Sequence, residues 1–164
     1  KVFGRINTTT NPLNKMSAIN WNFKKFEELT PSELYAIMQL RNEVFVVEQN
    51  CVYQDADNKD LLSYHLMGWN QQKLVAYTRI LAPGIAFEEA SIGRVVTSPS
   101  VRRTGIGFEL MNRSISKTTE LFGNFPIRIG AQLYLQKFYT SLGFEKDSDT
   151  YLEDNIPHIE MVRP

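Results

Sequence analysis

The sequence predicts an α/β domain built on a mixed sheet. Three observations carry the prediction. Segments of two-residue alternation and segments of helical spacing follow one another in the order β-α-β-β-β-α-β-α-β-β. The 164 residues are 43% hydrophobic and 12% aromatic, enough to fill the core of one domain. A predicted strand at 92–97 also runs through the turn Ser98-Pro99-Ser100 into a glycine-spaced loop that opens a long helix.

Each element has its own signal. Residues 1–15 are rich in Thr and Asn without an apolar period. They are read as an expression-tag remnant or a disordered arm, and 16–164 as a single domain. Residues 20–28 begin with the alternation Trp21-Asn22-Phe23-Lys24, a first strand. Thr30, Pro31 and Glu33 mark a helix start, with Thr30 as N-cap, Pro31 in the first position and Glu33 closing a capping box. Leu34, Ile37, Met38 and Phe45 extend a helical stripe. The β-branched residues that follow predict extended chain from about Val46.

Residues 51–59 read as a loop bordering a pocket. Its acidic residues resemble the opening of a calcium loop but lack the sixth-position glycine, so no calcium is expected. Asp55, Asp57 and Asp60 are read as a solvated face, with the alternative that they attract a cationic amine. Residues 63–69 and 74–81 flank Asn70-Gln71-Gln72-Lys73 as a hairpin, and 82–89 form a loop around Pro83-Gly84. Residues 107–121 carry Phe108, Met111 and Ile115 at helical spacing, and Gly123 stops that helix. A short strand at 126–129, a helix at 131–141 and a strand at 158–162 complete the chain.

Composition narrows the function. Lys plus Arg and Asp plus Glu number 18 each, so no charge excess points to nucleic acid or a membrane surface. No apolar run reaches membrane-spanning length. The single cysteine, Cys51, cannot form an internal disulfide and suits a reducing, cytoplasmic setting. Nothing beside it in sequence activates it as a nucleophile. With two histidines and no zinc spacing, no metal is expected.

Positive charge is local, at Arg102-Arg103, and is followed by Thr104-Gly105-Ile106-Gly107. Glycines let the backbone approach a ligand, and the free N–H groups of a first helical turn favour an anion such as phosphate. Phe108-Glu109 stands where a nucleoside-triphosphate loop needs Lys and Ser or Thr. Two glycines fall short of the three in a dinucleotide fingerprint. An ordinary helix start with turn glycines would show the same spacing. In the predicted helix near Ala131, Gln132, Gln136 and Tyr139 share one face, while Leu135, Phe138 and Leu142 mark a sheet-packing face. Glu48, His65 and Arg79 are candidates for substrate binding or proton removal. Arg94, two residues before Val96, is a candidate for pairing with a carboxylate or a substrate. His158 is read as structural.

The pattern Arg102-x-x-Gly105-x-Gly107 after a strand resembles the pyrophosphate loop of the GNAT superfamily of N-acetyltransferases, which bind acetyl-coenzyme A. The stretch from Phe138-Tyr139 to Gly143-Phe144 resembles a second motif of the same superfamily. Leu40-Arg41, Val44 to Gln49, Tyr53, Asp57, His65, Ser98 to Arg102 and Ile156-Pro157-His158 look like its ElaA-type branch.

The resemblance implies a mostly antiparallel central sheet, splayed at a parallel pair and flanked by helices. It implies that Val95, Val96 and Thr97 pair with the pantetheine arm and that Arg102, Arg103, Thr104, Gly105, Ile106 and Gly107 hold the diphosphate. Gln132 and Phe138 would lie beside the coenzyme, and Tyr139 would protonate the departing thiolate. Beside these implied roles, Glu48, His65, Arg79 and Arg94 stay candidates read from the residues alone, with a structural histidine and a structural salt bridge as the alternatives for His65 and Arg94. The implied activity is direct transfer of an acetyl group to a primary amine of a small molecule or peptide. A non-catalytic acyl-coenzyme A sensor or scaffold is the alternative. The resemblance also admits a homodimer.

Overall fold

A computed structural model of the chain describes residues 18–164, so the reading of residues 1–15 lies outside the described residues. The strands are β1 (Asn20–Lys25), β2 (Ser63–Asn70), β3 (Lys73–Leu81), β4 (Ala90–Thr97), β5 (Ile127–Gln132), β6 (Glu145–Lys146), β7 (Tyr151–Glu153) and β8 (Ile156–Arg163). They form one sheet in the order β1-β2-β3-β4-β5-β8-β6, with β7 also paired to β8. Every pairing is antiparallel except β4 with β5. The helices are α1 (Pro31–Arg41), α2 (Ile106–Phe122) and α3 (Gln136–Thr140).

Alternation along the strands sends apolar side chains to both faces of the sheet. On one face, α2 lays Met111 and Ile115 against Ile80, Ile92, Ile127, Ile129, Ile159 and Met161, in a cluster that also holds Tyr139 and Phe144. Thr78 on β3 and Ser114 on α2 join at 2.8 Å between their buried hydroxyls. On the other face, α1 contributes Ile37 and Leu40, which pack with Val44, Met67, Tyr77 and Val96. Burying each such side chain contributes roughly 1.5–3 kcal/mol. The start of α1 follows its predicted chemistry: Thr30 Oγ1 accepts from the Glu33 N–H at 3.2 Å, and Glu33 accepts in return from the Thr30 N–H at 2.8 Å.

Three predicted boundaries are corrected. The chain does not become extended near Val46. Residues Asn42–Glu48 continue α1 as a π-helical segment, with Gln49 N–H donating to the Val44 carbonyl at 3.2 Å and Cys51 N–H to Val46 at 3.1 Å. Ile37, Leu40 and Val44 stand at helical spacing in one buried cluster, so tertiary burial overrides β-branched propensity. The helix predicted at 131–141 is confined to α3 and a preceding 3₁₀ turn at Leu133–Leu135. Ala131 and Gln132 are instead paired in the sheet, opposite Ile159 and His158. Gln132 therefore does not share a helix face with Gln136 and Tyr139. The third concerns the end of the chain, where two short strands, β6 and β7, stand between α3 and β8 and pair with β8, one more than the predicted order holds.

Candidate active site

The parallel pair β4 and β5 is joined at only two positions, Ala90 with Ile127 and Ser91 with Arg128. Beyond them the strands part, leaving a cleft of about 480 Å³. One wall is Gly93 to Thr97 of β4, and the other is Gly130 and Gln132 of β5 with Ile156 and His158 of β8. Phe138 and Tyr139 line it from α3, and Val44, Phe45, Glu48 and Gln49 come from the π-helical tail of α1 and its cap.

The β4 wall is irregular where the cleft needs free backbone. Arg79 pairs with Gly93 and Tyr77 with Val96, so Arg94 and Val95 together oppose Thr78 in a bulge. Arg94 sits at φ 51, a left-handed conformation costing about 1–3 kcal/mol for a side-chain-bearing residue. Asp55 restrains it, accepting from Arg94 Nε at 2.7 Å on its carboxylate and from Nη2 at 3.1 Å on its carbonyl. The bulge breaks the alternation that would put Arg94 and Val96 on one face. Arg94, Val95, Val96 and Thr97 all line the cleft.

The glycine loop leads into α2. Gly105 adopts φ 91, and no atom lies within 4 Å of the place a Cβ would occupy. The first helical bond runs from Glu109 N–H to the Gly105 carbonyl at 3.1 Å, so the N–H groups of Ile106, Gly107 and Phe108 have no helical acceptor. Arg102 and Gly107 line the cleft, while Arg103, Thr104 and Gly105 are exposed beside it. Ile106 sends its side chain into the core, leaving its backbone N–H for the loop. Thr104 Oγ1 is used internally, donating to the Val101 carbonyl at 2.6 Å. These features suit a diphosphate: an open backbone, a helix start and two guanidinium groups.

Glu48 closes on the same loop. Its carboxylate accepts from both terminal nitrogens of Arg102, at 2.6 and 2.7 Å. This hydrogen-bonded pairing holds Glu48 below the usual carboxylate range, which makes it a weaker proton acceptor than an isolated glutamate. Gln132 spans the far side, its Nε2 donating to Gln49 Oε1 at 3.1 Å. Tyr139 is 4% exposed, and burial pushes its hydroxyl well above the ordinary tyrosine range, so it keeps its proton at neutral pH. Phe138 meets Phe108 edge-on at 5.0 Å and Tyr139 at 5.1 Å, fixing the ring beside the cleft.

Two sequence candidates lie outside the cleft. His65 is fully buried on β2, with Nδ1 2.8 Å from the Tyr77 hydroxyl and Nε2 3.1 Å from the Asp60 carbonyl. A carbonyl only accepts, so Nε2 carries the proton and Nδ1 accepts from Tyr77. Burial holds this imidazole below its ordinary range and neutral. Both nitrogens are engaged, which removes His65 as a proton acceptor for a substrate. Arg79 is also buried, gripping Asp57 through two bonds of 2.6 Å and reaching Asp60 at 3.1 Å, so it does not meet a ligand in the cleft.

Asp55, Asp57 and Asp60 are not a solvated face. Arg41, 0% exposed, donates to Asp55 at 2.7 Å and Asp60 at 2.6 Å, and Arg79 and Arg94 complete the set. Burial pushes Asp57 and Asp60 up, but hydrogen bonds and charge from Arg79 and Arg41 outweigh it and hold both low. Three guanidinium groups balance three carboxylates, and the network pins the acidic loop behind the bulge at Arg94.

Arg41 and His158 enter the sequence reading only within the family resemblance, since no charge or spacing signal beside either marks a functional role. Arg41 reads as one more polar position on a helix, and its acidic partners lie 14 and 19 residues away. His158 follows a proline on the last strand and reaches the cleft only because β8 pairs with β5.

Comparison with known proteins agrees with this geometry. The sequence profile described as Acetyltransferase (GNAT) domain matches residues 28–163. Protein ElaA of Escherichia coli (strain K12) is 45% identical over 147 residues, covering 88% of this chain and 96% of that one. The crystal structure of an acyl-CoA N-acyltransferase from Pseudomonas aeruginosa superposes with a TM-score of 0.86 at 44% identity, covering 90% of this chain and all of that one. An aminoglycoside 6′-N-acetyltransferase complexed with coenzyme A shares the fold, with a TM-score of 0.64 at 17% identity, covering 86% of this chain and 95% of that one.

Proposed function

The chain belongs to the GNAT acetyltransferase family, on its ElaA-like side, and from that membership we propose that it transfers an acetyl group from acetyl-coenzyme A directly to a primary amine. The observation that carries the reading is the two-position contact between β4 and β5, which opens a cleft from the glycine loop to the start of β8. Coenzyme, when bound, supplies a thioester whose acyl carbon is already activated.

The residues divide the work. The free N–H groups at the start of α2, with Arg102 and Arg103, would hold the diphosphate. The bulged edge at Val95, Val96 and Thr97 offers backbone groups to the pantetheine arm as a neighbouring strand would, and an N–H there can stabilise an oxyanion. Gln132 and Phe138 flank that arm. Tyr139 lines the cleft, and no described group bonds its hydroxyl, which leaves it free to give a proton to a departing thiolate. Arg94 stands at the acceptor side, already neutralised by Asp55.

The test is calorimetry with coenzyme A and acetyl-coenzyme A, followed by release of free thiol with spermidine, an amino acid, an aminoglycoside and a lysyl peptide. Binding with turnover on one of these amines supports the proposal. Binding without turnover on any of them indicates the sensor or scaffold alternative, and no binding removes both.

A further inference from the structure

We infer that His158 takes the proton from the acceptor amine, an assignment that rests on the acyl-transfer reading above. Three observations lead to it. The first is position. Along β8, Ile159 and Met161 belong to the cluster that holds Tyr139, so His158 stands on the opposite face of the sheet. It faces Gln132 across the ladder, and both line the cleft. Tyr139 and His158 therefore reach one cleft from its two sides.

The second observation is the tautomer. His158 Nδ1 lies 2.8 Å from the Ile156 carbonyl oxygen. A carbonyl has no proton to give, so Nδ1 carries the hydrogen and the lone pair of the neutral ring is on Nε2. No described group bonds Nε2, whereas both nitrogens of His65 are occupied. Tyr151 stacks on the His158 ring at 5.9 Å and 27°, which fixes its plane.

The third is the state of the rival bases. Glu48 is held by Arg102 and Asp55 by Arg41 and Arg94. The Tyr53 hydroxyl donates to Asp55, and Cys51 Sγ points to the Asp154 carbonyl at 3.8 Å. Glu153 and Asp154 are exposed at the β7–β8 turn, and carboxylates match an amine poorly as bases at neutral pH. The imidazole is the group on this lining with an open lone pair.

The step balances as follows. The neutral amine nitrogen bonds to the acyl carbon and passes its N–H proton to His158 Nε2. The carbon–sulfur bond breaks, and the sulfur takes the Tyr139 hydroxyl proton. His158 then returns its proton to solvent and Tyr139 regains one from it.

Two measurements test this. The chain has two histidines, so nitrogen NMR of the free protein resolves both rings. At alkaline pH His158 is expected as the Nδ1–H tautomer. In turnover with acetyl-coenzyme A and the amine panel, His158→Ala is expected to lose about 100-fold in kcat, with the coenzyme Kd kept within about two-fold. Added imidazole should restore part of that activity, which it would not do for a purely structural loss. His158→Asn, whose Nδ2 stands where the ring Nδ1 does and can still donate to the Ile156 carbonyl, should lose as much without rescue. Near wild-type kcat in either variant, or an Nε2–H tautomer, overturns the inference and leaves the acyl-transfer reading intact. A wild-type protein that transfers to no amine of the panel overturns both.

Discussion

Glu48 and Arg102 clasp one another from positions 54 residues apart, the carboxylate meeting both guanidinium nitrogens at 2.6 and 2.7 Å. The pair joins the tail of α1 to the glycine loop at the mouth of the cleft. Arg102 cannot hold a diphosphate in the same two-pronged geometry while it holds Glu48. On the proposed reading, uptake of coenzyme is therefore coupled to release of this carboxylate.

Glu48→Gln is expected to tighten coenzyme binding. Both side chains are well exposed, 40% and 39%, so the pair is solvent-screened and worth about 0.2–1 kcal/mol. Freeing Arg102 should lower the Kd by about 1.4- to 5-fold in calorimetry at low salt, with the gain shrinking as salt is raised. Weaker binding in the variant would show that Glu48 does not compete for the loop.

Tyr139→Phe keeps the buried ring and removes the hydroxyl. The expected outcome is a drop in kcat of about 100-fold with unchanged coenzyme affinity. Steady-state kinetics beside calorimetry separates the two. Wild-type turnover in the variant would remove Tyr139 from the chemistry.

Arg41→Met removes the central cation of the buried network while conserving much of its volume. Asp55 and Asp60 would each lose a bond of 2.7 Å or less. Breaking a buried pair from one side costs about 3–5 kcal/mol. Urea unfolding should show a loss of that size, and a variant as stable as the wild type would mean that the network is dispensable for folding.

Acid should unfold the protein in two stages. His65 is depressed by burial, so its contribution is intact above the unfolded-state value of about 6.5 and is lost as pH falls below it. Asp57 and Asp60, held low by their arginines, contribute above about pH 4 and lose that contribution on further acidification. Both terms have the same sign. The urea midpoint should start to fall below about pH 6.5 and steepen near about pH 4. A midpoint flat from about pH 7 to 5 would exclude the His65 contribution.

What could be read from the chain follows the range of the interactions involved. The capping box of Thr30 and Glu33, the stop at Gly123 and the loop from Arg102 to Gly107 depend on residues a few places apart, and the structure builds each locally. The sheet and its splayed parallel pair also agree with the family implied by those motifs. The acidic loop misled because its partners are remote: Arg79 lies 22 residues from Asp57, and Arg94 lies 39 from Asp55. The same distance hid the pairing of Ala131 and Gln132 with β8, which takes the backbone a helix would have used. Val46 and Val47 carry strand propensity, yet burial of Val44 keeps their segment helical.

The parting of β4 from β5 leaves the sheet with a gap in its own interior. Along that gap, amides must turn to water until another chain-like partner lies between them. Isotope exchange at the amides of the Val95–Thr97 edge should thus be fast in the free protein and slowed when coenzyme fills the space. The melting temperature should climb with coenzyme concentration as mass action requires. On the proposed reading the coenzyme arm would act as a removable ninth strand, and part of the scaffold's rigidity would arrive only with it.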